Sequence, residues 1–293
     1  MSIVEKAAER LKRQQDGRNV SAFPSEQESE QQPEADFRMR QPGEREPLKL
    51  DNVRLRRAGL IPPESMGQWI NRELQRIKRP ILTAMKTEVA PGSPSTNRLM
   101  ITSANPGEGK SFTSFNLALS LAKELDHSVL LVDGDVAKPG ISRSLGLERE
   151  PGVMHLLNHP DTAAEDCVVA TDEPRLSILP AGRRSRRAVE SLSSRRMKAI
   201  LDELSADPER ILIFDSAPLL ATAESQALAV NVGQILVVVR AEHTEKRALE
   251  AALSLIEPAD AEISLILSQG RQLFGDRHAG YYGMYPVESE RPE

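Results

Sequence analysis

The stretch RLMITSANPGEGKSFTS, Arg98 to Ser114, decides how this chain is read. It opens with a short β-rich run, passes through Gly107 and Gly109, and enters a helical pattern at Ser111. A strand feeding a glycine-containing loop that opens a helix has a physical use. Successive backbone N–H groups from about Gly107 to Ser111 can turn inward around phosphate oxygens, where the helix adds the positive end of its dipole. In that arrangement Lys110 reaches the β and γ phosphates of a nucleotide and the Ser111 hydroxyl goes to Mg²⁺. The nucleotide-contacting positions are then Pro106, Gly107, Glu108, Gly109, Lys110, Ser111 and Phe112. The strict phosphate-loop pattern has glycine where this chain has Ala104, so the match is one residue short. The competing interpretation is a tight turn with an exposed lysine.

Outward from the loop, β-rich runs alternate with helical stretches. RLMITS, SVLLVD, RLSILP, RILIFD, QILVVV and EISLIL are the strands, and between them lie SFTSFNLALSLAKEL, a helical region over about 188–204, the short ESQALAV and HTEKRALEAALSLIE. That alternation predicts βαβ units, hence an α/β fold of the P-loop NTPase type, a mostly parallel sheet with helices on both faces. Two strands end in aspartate, SVLLVDGD giving Asp133 and Asp135 and ILIFDSAP giving Asp215. A parallel sheet gathers its C-terminal strand ends at one edge, so all three carboxylates should meet the loop. Mg²⁺ takes only one or two protein carboxylates and keeps several waters. Ser111, Asp133, Asp135 and Asp215 are therefore its candidate ligands, some through water.

Composition bounds the rest. The chain has 293 residues, 39% hydrophobic and 3% aromatic, a balance that leaves part of it outside a compact core. Its net charge of −5 gives no general reason for nucleic-acid binding. A single cysteine, Cys167, cannot form an internal disulfide, no leader-like apolar region opens the chain, and no apolar run approaches the roughly 20 residues of a membrane span. The expectation is a reducing cytosol. Residues 1–15 read as a short amphipathic helix with Ile3, Val4, Ala7, Ala8 and Leu11 on one side, either a frayed end or a docking peptide. Residues 16–54 are rich in Gln, Glu, Ser and Pro and read as a disordered linker, and 55–275 hold the catalytic domain. SMGQWINRELQRIKRPILTAMKTEV reads as helix with a break or kink after Arg79, because Pro80 follows.

The last segment, 276–293, reads as a flexible tail. It contains the only tyrosines of the chain, Tyr281, Tyr282 and Tyr285, in GYYGMYPV. Packing would scatter such amphipathic rings, so something other than packing gathers them. With these features the chain resembles the bacterial tyrosine kinases, P-loop kinases that phosphorylate their own tyrosine-rich tails and regulate exopolysaccharide synthesis, and among them the autokinases of exosortase-linked loci. SANPGEGKS resembles the family's Walker A, LLVDGDVAKP its Walker A′ and ILIFDSAP its Walker B, and GYYGMY stands where its tyrosine cluster stands.

The resemblance implies ATP and Mg²⁺ as cofactors, Lys110, Asp133, Asp135 and Asp215 as catalytic residues, and Tyr281, Tyr282 and Tyr285 as autophosphorylation sites. It also implies that Glu73, Arg76 and Arg79, an E-x-x-R-x-x-R triplet on one helical face, contact a neighbouring subunit in a ring; a solvated charged face is the other reading. Further implied partners are a separate transmembrane polysaccharide co-polymerase adaptor, which would recruit the cytoplasmic protein to the inner membrane face, and a cognate tyrosine phosphatase. Where the family commonly has arginine after the second Walker A′ aspartate, this chain has Ala137 followed by Lys138. Either Asp133 or Asp135 could orient and deprotonate the acceptor tyrosine.

A different class fits the same loop: a partitioning or positioning ATPase that switches between monomer and dimer. Those proteins carry a signature lysine early in the loop, as in KGGxGK, where this chain has Asn105. Weaker features are the basic run GRRSRRA from Gly182 to Ala188, read as an exposed loop or an acidic-partner site, and His155 with His159, read as surface or packing residues. Ser268 and Gln269, after the last strand, are placed near the nucleotide base.

Overall fold

A computed structural model of the chain describes residues 46–270, apart from 88, 89, 91, 92 and 186. The expected N-terminal helix, most of the expected linker and the tyrosine tail lie outside the described residues. Seven strands form one sheet: β1 Arg98–Ser103, β2 Ser128–Asp133, β3 Val169–Ala170, β4 Leu176–Leu179, β5 Arg210–Asp215, β6 Gln234–Arg240 and β7 Glu262–Ser268. Their order is β3-β4-β2-β5-β1-β6-β7. Every neighbouring pair is parallel except β3 with β4.

The central strands are apolar at nearly every position because both faces are covered, as parallel sheets require. Alternate residues then go to opposite layers. Met100, Leu130, Val132, Leu212 and Phe214 pack on one side with helices α6 Ala188–Leu192, α7 Arg195–Leu204, α8 Glu224–Ala229 and α9 Lys246–Ile256. Leu99, Ile101, Val129, Leu131, Ile211 and Ile213 pack on the other with α1 Asn52–Arg57, α2 Gly67–Ala84, α3 Lys110–Leu121 and α4 Gly140–Leu145. Another short helix, α5 Val153–Asn158, joins the first layer.

Four details differ from the sequence reading. The stretch from 46 to 54 is docked rather than linker. The Leu48 N–H donates to the Ala170 carbonyl at 2.8 Å, and the Asp51 carboxylate caps α1 by accepting the Val53 N–H at 2.8 Å. Two leucines amid polar residues suffice there because Leu48 and Leu50 pack onto the second layer. The helix over 65–89 is not broken at Pro80. It runs from Gly67 through Pro80 to Ala84, with Pro80 on the exposed side between buried Lys78 and Ile81. The missing N–H therefore costs one bond on a face where water can satisfy the freed carbonyl. The helical region over 188–204 is two helices, since the Ser194 hydroxyl accepts the Met197 N–H at 3.2 Å and starts a new N-terminus. Short α1, α4, α5 and two-residue β3 carry too few residues for a periodic signal.

Candidate active site

The loop leaves β1 at Ser103 and turns into α3 through two residues in left-handed conformation, Gly107 at φ 80° and Gly109 at φ 99°. Side chains with a Cβ rarely adopt such angles, which is why both positions are glycine. Ala104, in place of the loop's usual first glycine, is a buried strand-end residue whose methyl joins the apolar layer under the sheet. Nothing there calls for glycine. Pro106 and Gly107 are exposed, while Gly109, Lys110, Ser111 and Phe112 are half-buried along the mouth of α3.

The register brings the carboxylates together. Asp133 and Asp215 are direct partners on β2 and β5, and Ile101 of β1 sits beside Asp215. Both aspartates are fully buried and Asp135 nearly so. Lys110 Nζ lies 3.5 Å from Asp135 Oδ2, and Asp135 Oδ1 accepts the Lys138 N–H at 2.9 Å. Asp133 Oδ2 accepts both the N–H and the hydroxyl of Ser142 at 2.7 Å, and the Ser142 hydroxyl accepts the Ala181 N–H at 3.1 Å. Asp215 Oδ1 accepts the Ser114 hydroxyl at 3.0 Å. Asp133 Oδ1 and Asp215 Oδ2 are buried without any hydrogen-bond partner.

The charges follow from that burial. Loss of water, with the neighbouring Asp215 adding to it, pushes the Asp133 carboxyl up from 3.8 to about 7 against the pull of Ser142. Burial raises Asp215 too, opposed by Lys110 and by the Ser111 and Ser114 hydroxyls. A hard divalent cation fits this donor set. Two partnerless buried carboxylate oxygens, with the Ser111 hydroxyl near Asp215, are oxygen donors of the kind Mg²⁺ takes, with waters completing the shell, while Lys110 is left for the phosphates.

The Glu108 side chain turns into the protein and is fully buried, which leaves its backbone N–H as the group it offers a nucleotide. Ser268 and Gln269 also serve the loop: the Ser268 hydroxyl donates to the Glu108 carbonyl at 2.5 Å and Gln269 Nε2 to the Gly107 carbonyl at 3.4 Å. The Lys138 side chain is exposed and Ala137 half-buried. On α2, Glu73, Arg76 and Arg79 lie away from the buried Leu74, Lys78 and Ile81, with Arg76 Nη1 3.2 Å from Glu73 Oε1. His155 and His159 stack with ring centroids 4.0 Å apart, and among the described residues no three His, Cys, Asp or Glu side chains are grouped so as to hold a metal ion by themselves. Arg183, Arg184 and Arg187 are exposed after β4. No described helix is long and apolar enough to cross a membrane.

Sequence reasoning missed Ser142, Ser114 and Thr244, and named Asn105 only for the lysine it replaces. Ser114 was the one within reach, since it lies one helical turn after Lys110; its single hydroxyl proton is shared between the Lys110 carbonyl at 2.9 Å and Asp215 Oδ1 at 3.0 Å. Ser142 and Thr244 are distant in sequence from the groups they hold, and no local pattern marks them.

Comparison with known proteins gives the family. Residues 97–267 match the family model described as AAA domain. The tyrosine-protein kinase YwqD of Bacillus subtilis is 34% identical over 185 residues, covering 63% of this chain and 77% of that protein. The tyrosine-protein kinase ptk of Acinetobacter johnsonii is 31% identical over 185 residues, and the match spans 62% of this chain but only 25% of ptk. The VpsO kinase domain superposes with a TM-score of 0.54 at 31% identity, covering 67% of this chain and 98% of that structure. With the loop, the two aspartate-ended strands and these relatives in agreement, the chain belongs to the bacterial P-loop tyrosine kinases.

Proposed function

We propose that this chain uses ATP and Mg²⁺ to phosphorylate Tyr281, Tyr282 and Tyr285 of a neighbouring copy within an oligomer, and thereby regulates exopolysaccharide synthesis or export. The observation that carries the reading is the pair of partnerless buried oxygens on the register partners Asp133 and Asp215, with Lys110 and Ser111 acting on Asp215 and Lys110 3.5 Å from Asp135. Phosphoryl transfer needs positioning and charge neutralisation more than covalent help from the protein. Bound through Ser111, Asp133, Asp135 or Asp215, partly by water, Mg²⁺ would supply neutralisation of the phosphate oxygens. Lys110 exchanges its contact with Asp135 for the transferring phosphate, and the backbone from Gly107 to Ser111 donates to phosphate oxygens.

The acceptor is a phenol of pKa near 10, so its proton leaves only as the new bond advances. Asp133 or Asp135 orients that hydroxyl and takes its proton. The described chain ends close to the loop, and from Gln269 to Tyr282 an extended chain spans roughly 40 Å. That reaches a neighbour's site as well as its own. If the Glu73, Arg76 and Arg79 face joins subunits, tethering gives an effective concentration near the millimolar range. A separate membrane-spanning co-polymerase adaptor, holding the cytoplasmic kinase at the inner membrane face, and a cognate phosphatase complete the proposal.

The switch-ATPase reading would need a lysine early in the loop. Asn105 stands there, with both its backbone N–H and its Nδ2 donating to Glu108, at 3.0 and 3.1 Å. Incubating purified protein with Mg-ATP and probing for phosphotyrosine separates the two. Signal that disappears in both Lys110→Met and the triple Tyr→Phe protein supports the kinase. ATP turnover without phosphotyrosine, with the adaptor present as well as absent, overturns it.

A further inference from the structure

Glu108 occupies the middle of a loop built to receive anions, yet it is itself an anion. Its residue is fully buried between two left-handed glycines. Its Oε2 accepts the Asn105 N–H at 3.0 Å, and its Oε1 accepts Asn105 Nδ2 at 3.1 Å and the Thr244 hydroxyl at 2.6 Å. Thr244 lies past the end of β6 and is anchored in turn, its hydroxyl accepting the Arg240 N–H at 3.0 Å. The Glu108 carbonyl accepts the Ser268 hydroxyl at the end of β7. None of the ion pairs among the described residues includes Glu108.

A buried carboxylate is costly unless donors surround it, and three do so here. The same bonds close a ring from residue 105 to residue 108, which fixes the turn through Pro106 and Gly107 from the inside. They also point the charge away from the mouth, where it would repel phosphate. We infer that Glu108 is a positioning residue: acting through Asn105 and Thr244, it holds the loop's N–H groups at the spacing the nucleotide phosphates require and ties the loop to the ends of β6 and β7. The inference rests on the nucleotide-binding reading of the loop.

The test uses the full chain with Thr244→Val, Glu108→Gln and Glu108→Ala, measuring Mg-ADP dissociation constants by calorimetry, KM for ATP against kcat in phosphotyrosine formation, and the melting temperature. Losing the Thr244 bond should weaken Mg-ADP by about 5-fold, the worth of one hydrogen bond, and Glu108→Ala by roughly 10-fold or more. Glu108→Gln should fall between wild type and Glu108→Ala, because the Asn105 amide can rotate to present its oxygen to the new NH₂ group. KM for ATP should rise more than kcat falls. If Thr244→Val and Glu108→Gln bind Mg-ADP within twofold of wild type, whatever their melting temperatures, Glu108 is only structural and the inference is overturned. Should Glu108→Ala fail to fold, the other two variants still decide. A wild-type protein that binds no Mg-ADP would overturn the nucleotide reading itself, which is a different result from unaffected variants of a protein that binds.

Discussion

Replacing Asp133 with Asn should make the metal-free protein more stable, even though it removes a residue assigned to catalysis. The Asp133 carboxyl is raised from 3.8 to about 7 by burial and by Asp215, so above that pH the fold holds a charge it disfavours. The sign follows from proton counts. Between about pH 4 and pH 7 the folded chain keeps a proton on Asp133 that the unfolded chain has lost, so stability falls as pH rises through that window. One carboxyl moved that far costs on the order of 4 kcal/mol by linkage, and Asp215, itself raised, shares part of the same repulsion. The Asn amide can keep its oxygen for the two Ser142 donors while shedding the charge, which leaves a gain on the order of 2 kcal/mol, or roughly 4–8 °C in melting temperature for a domain of this size. The assay is thermal unfolding in EDTA at several pH values. Asp133→Asn should melt well above wild type at pH 8.5, the gap should close toward pH 4, and Mg-ADP should favour wild type. A variant that melts at or below wild type at pH 8.5, or a gap independent of pH, would refute the reasoning.

Other perturbations have equally definite outcomes. Lys78 is buried in α2, paired with the partly exposed Glu124 and donating to the Ser120 carbonyl at 3.1 Å; Lys78→Ala removes that donor and the buried stem and should cost on the order of 2 kcal/mol in urea denaturation. Gly152 leaves no room for a side chain, since a Cβ there would sit 1.9 Å from the Pro180 carbonyl oxygen, so Gly152→Ala should lose more than about 3 kcal/mol or fail to express in soluble form. Gly67→Ala is its control: nothing lies within 4 Å and the backbone is helical, so stability should hold or rise by up to ~1 kcal/mol. Pro80→Ala, on the exposed side of a continuous helix, should raise the melting temperature, and a fall would mean that Pro80 holds a contact absent from this fold.

How much of this was legible in the sequence depended on the range of the interaction. The strands and their carboxylate ends were readable because a covered parallel strand is apolar throughout and then stops, as RILIFD and SVLLVD do. The two glycines were readable because left-handed backbone leaves few substitutes. Pro80 misled because its rule assumes that a lost bond goes unsatisfied, which an exposed helix face does not impose. The partners of the site were illegible: Ser142 acts nine positions from Asp133, and Thr244 acts 136 positions from Glu108. Such contacts depend on which loops the sheet order brings to one edge, and a linear pattern holds no trace of them.

The charges at that edge give the proposed Mg²⁺ a definite task. Asp133, Asp135 and Asp215 gather beside a loop whose nearest ion pair is a single contact between Lys110 and Asp135. Without a cation the edge balances itself with protons, and Asp133 holds one to about pH 7. An anionic nucleotide entering alone would have to take Lys110 away from Asp135 and meet freshly uncovered carboxylate charge. A divalent ion taken up by the buried, partnerless oxygens of Asp133 and Asp215 would displace the protons and reverse the sign of the edge. Nucleotide affinity should therefore depend steeply on Mg²⁺ and should improve with pH toward neutrality in its presence. In EDTA that order should invert, because each proton lost then leaves a bare carboxylate facing the phosphates.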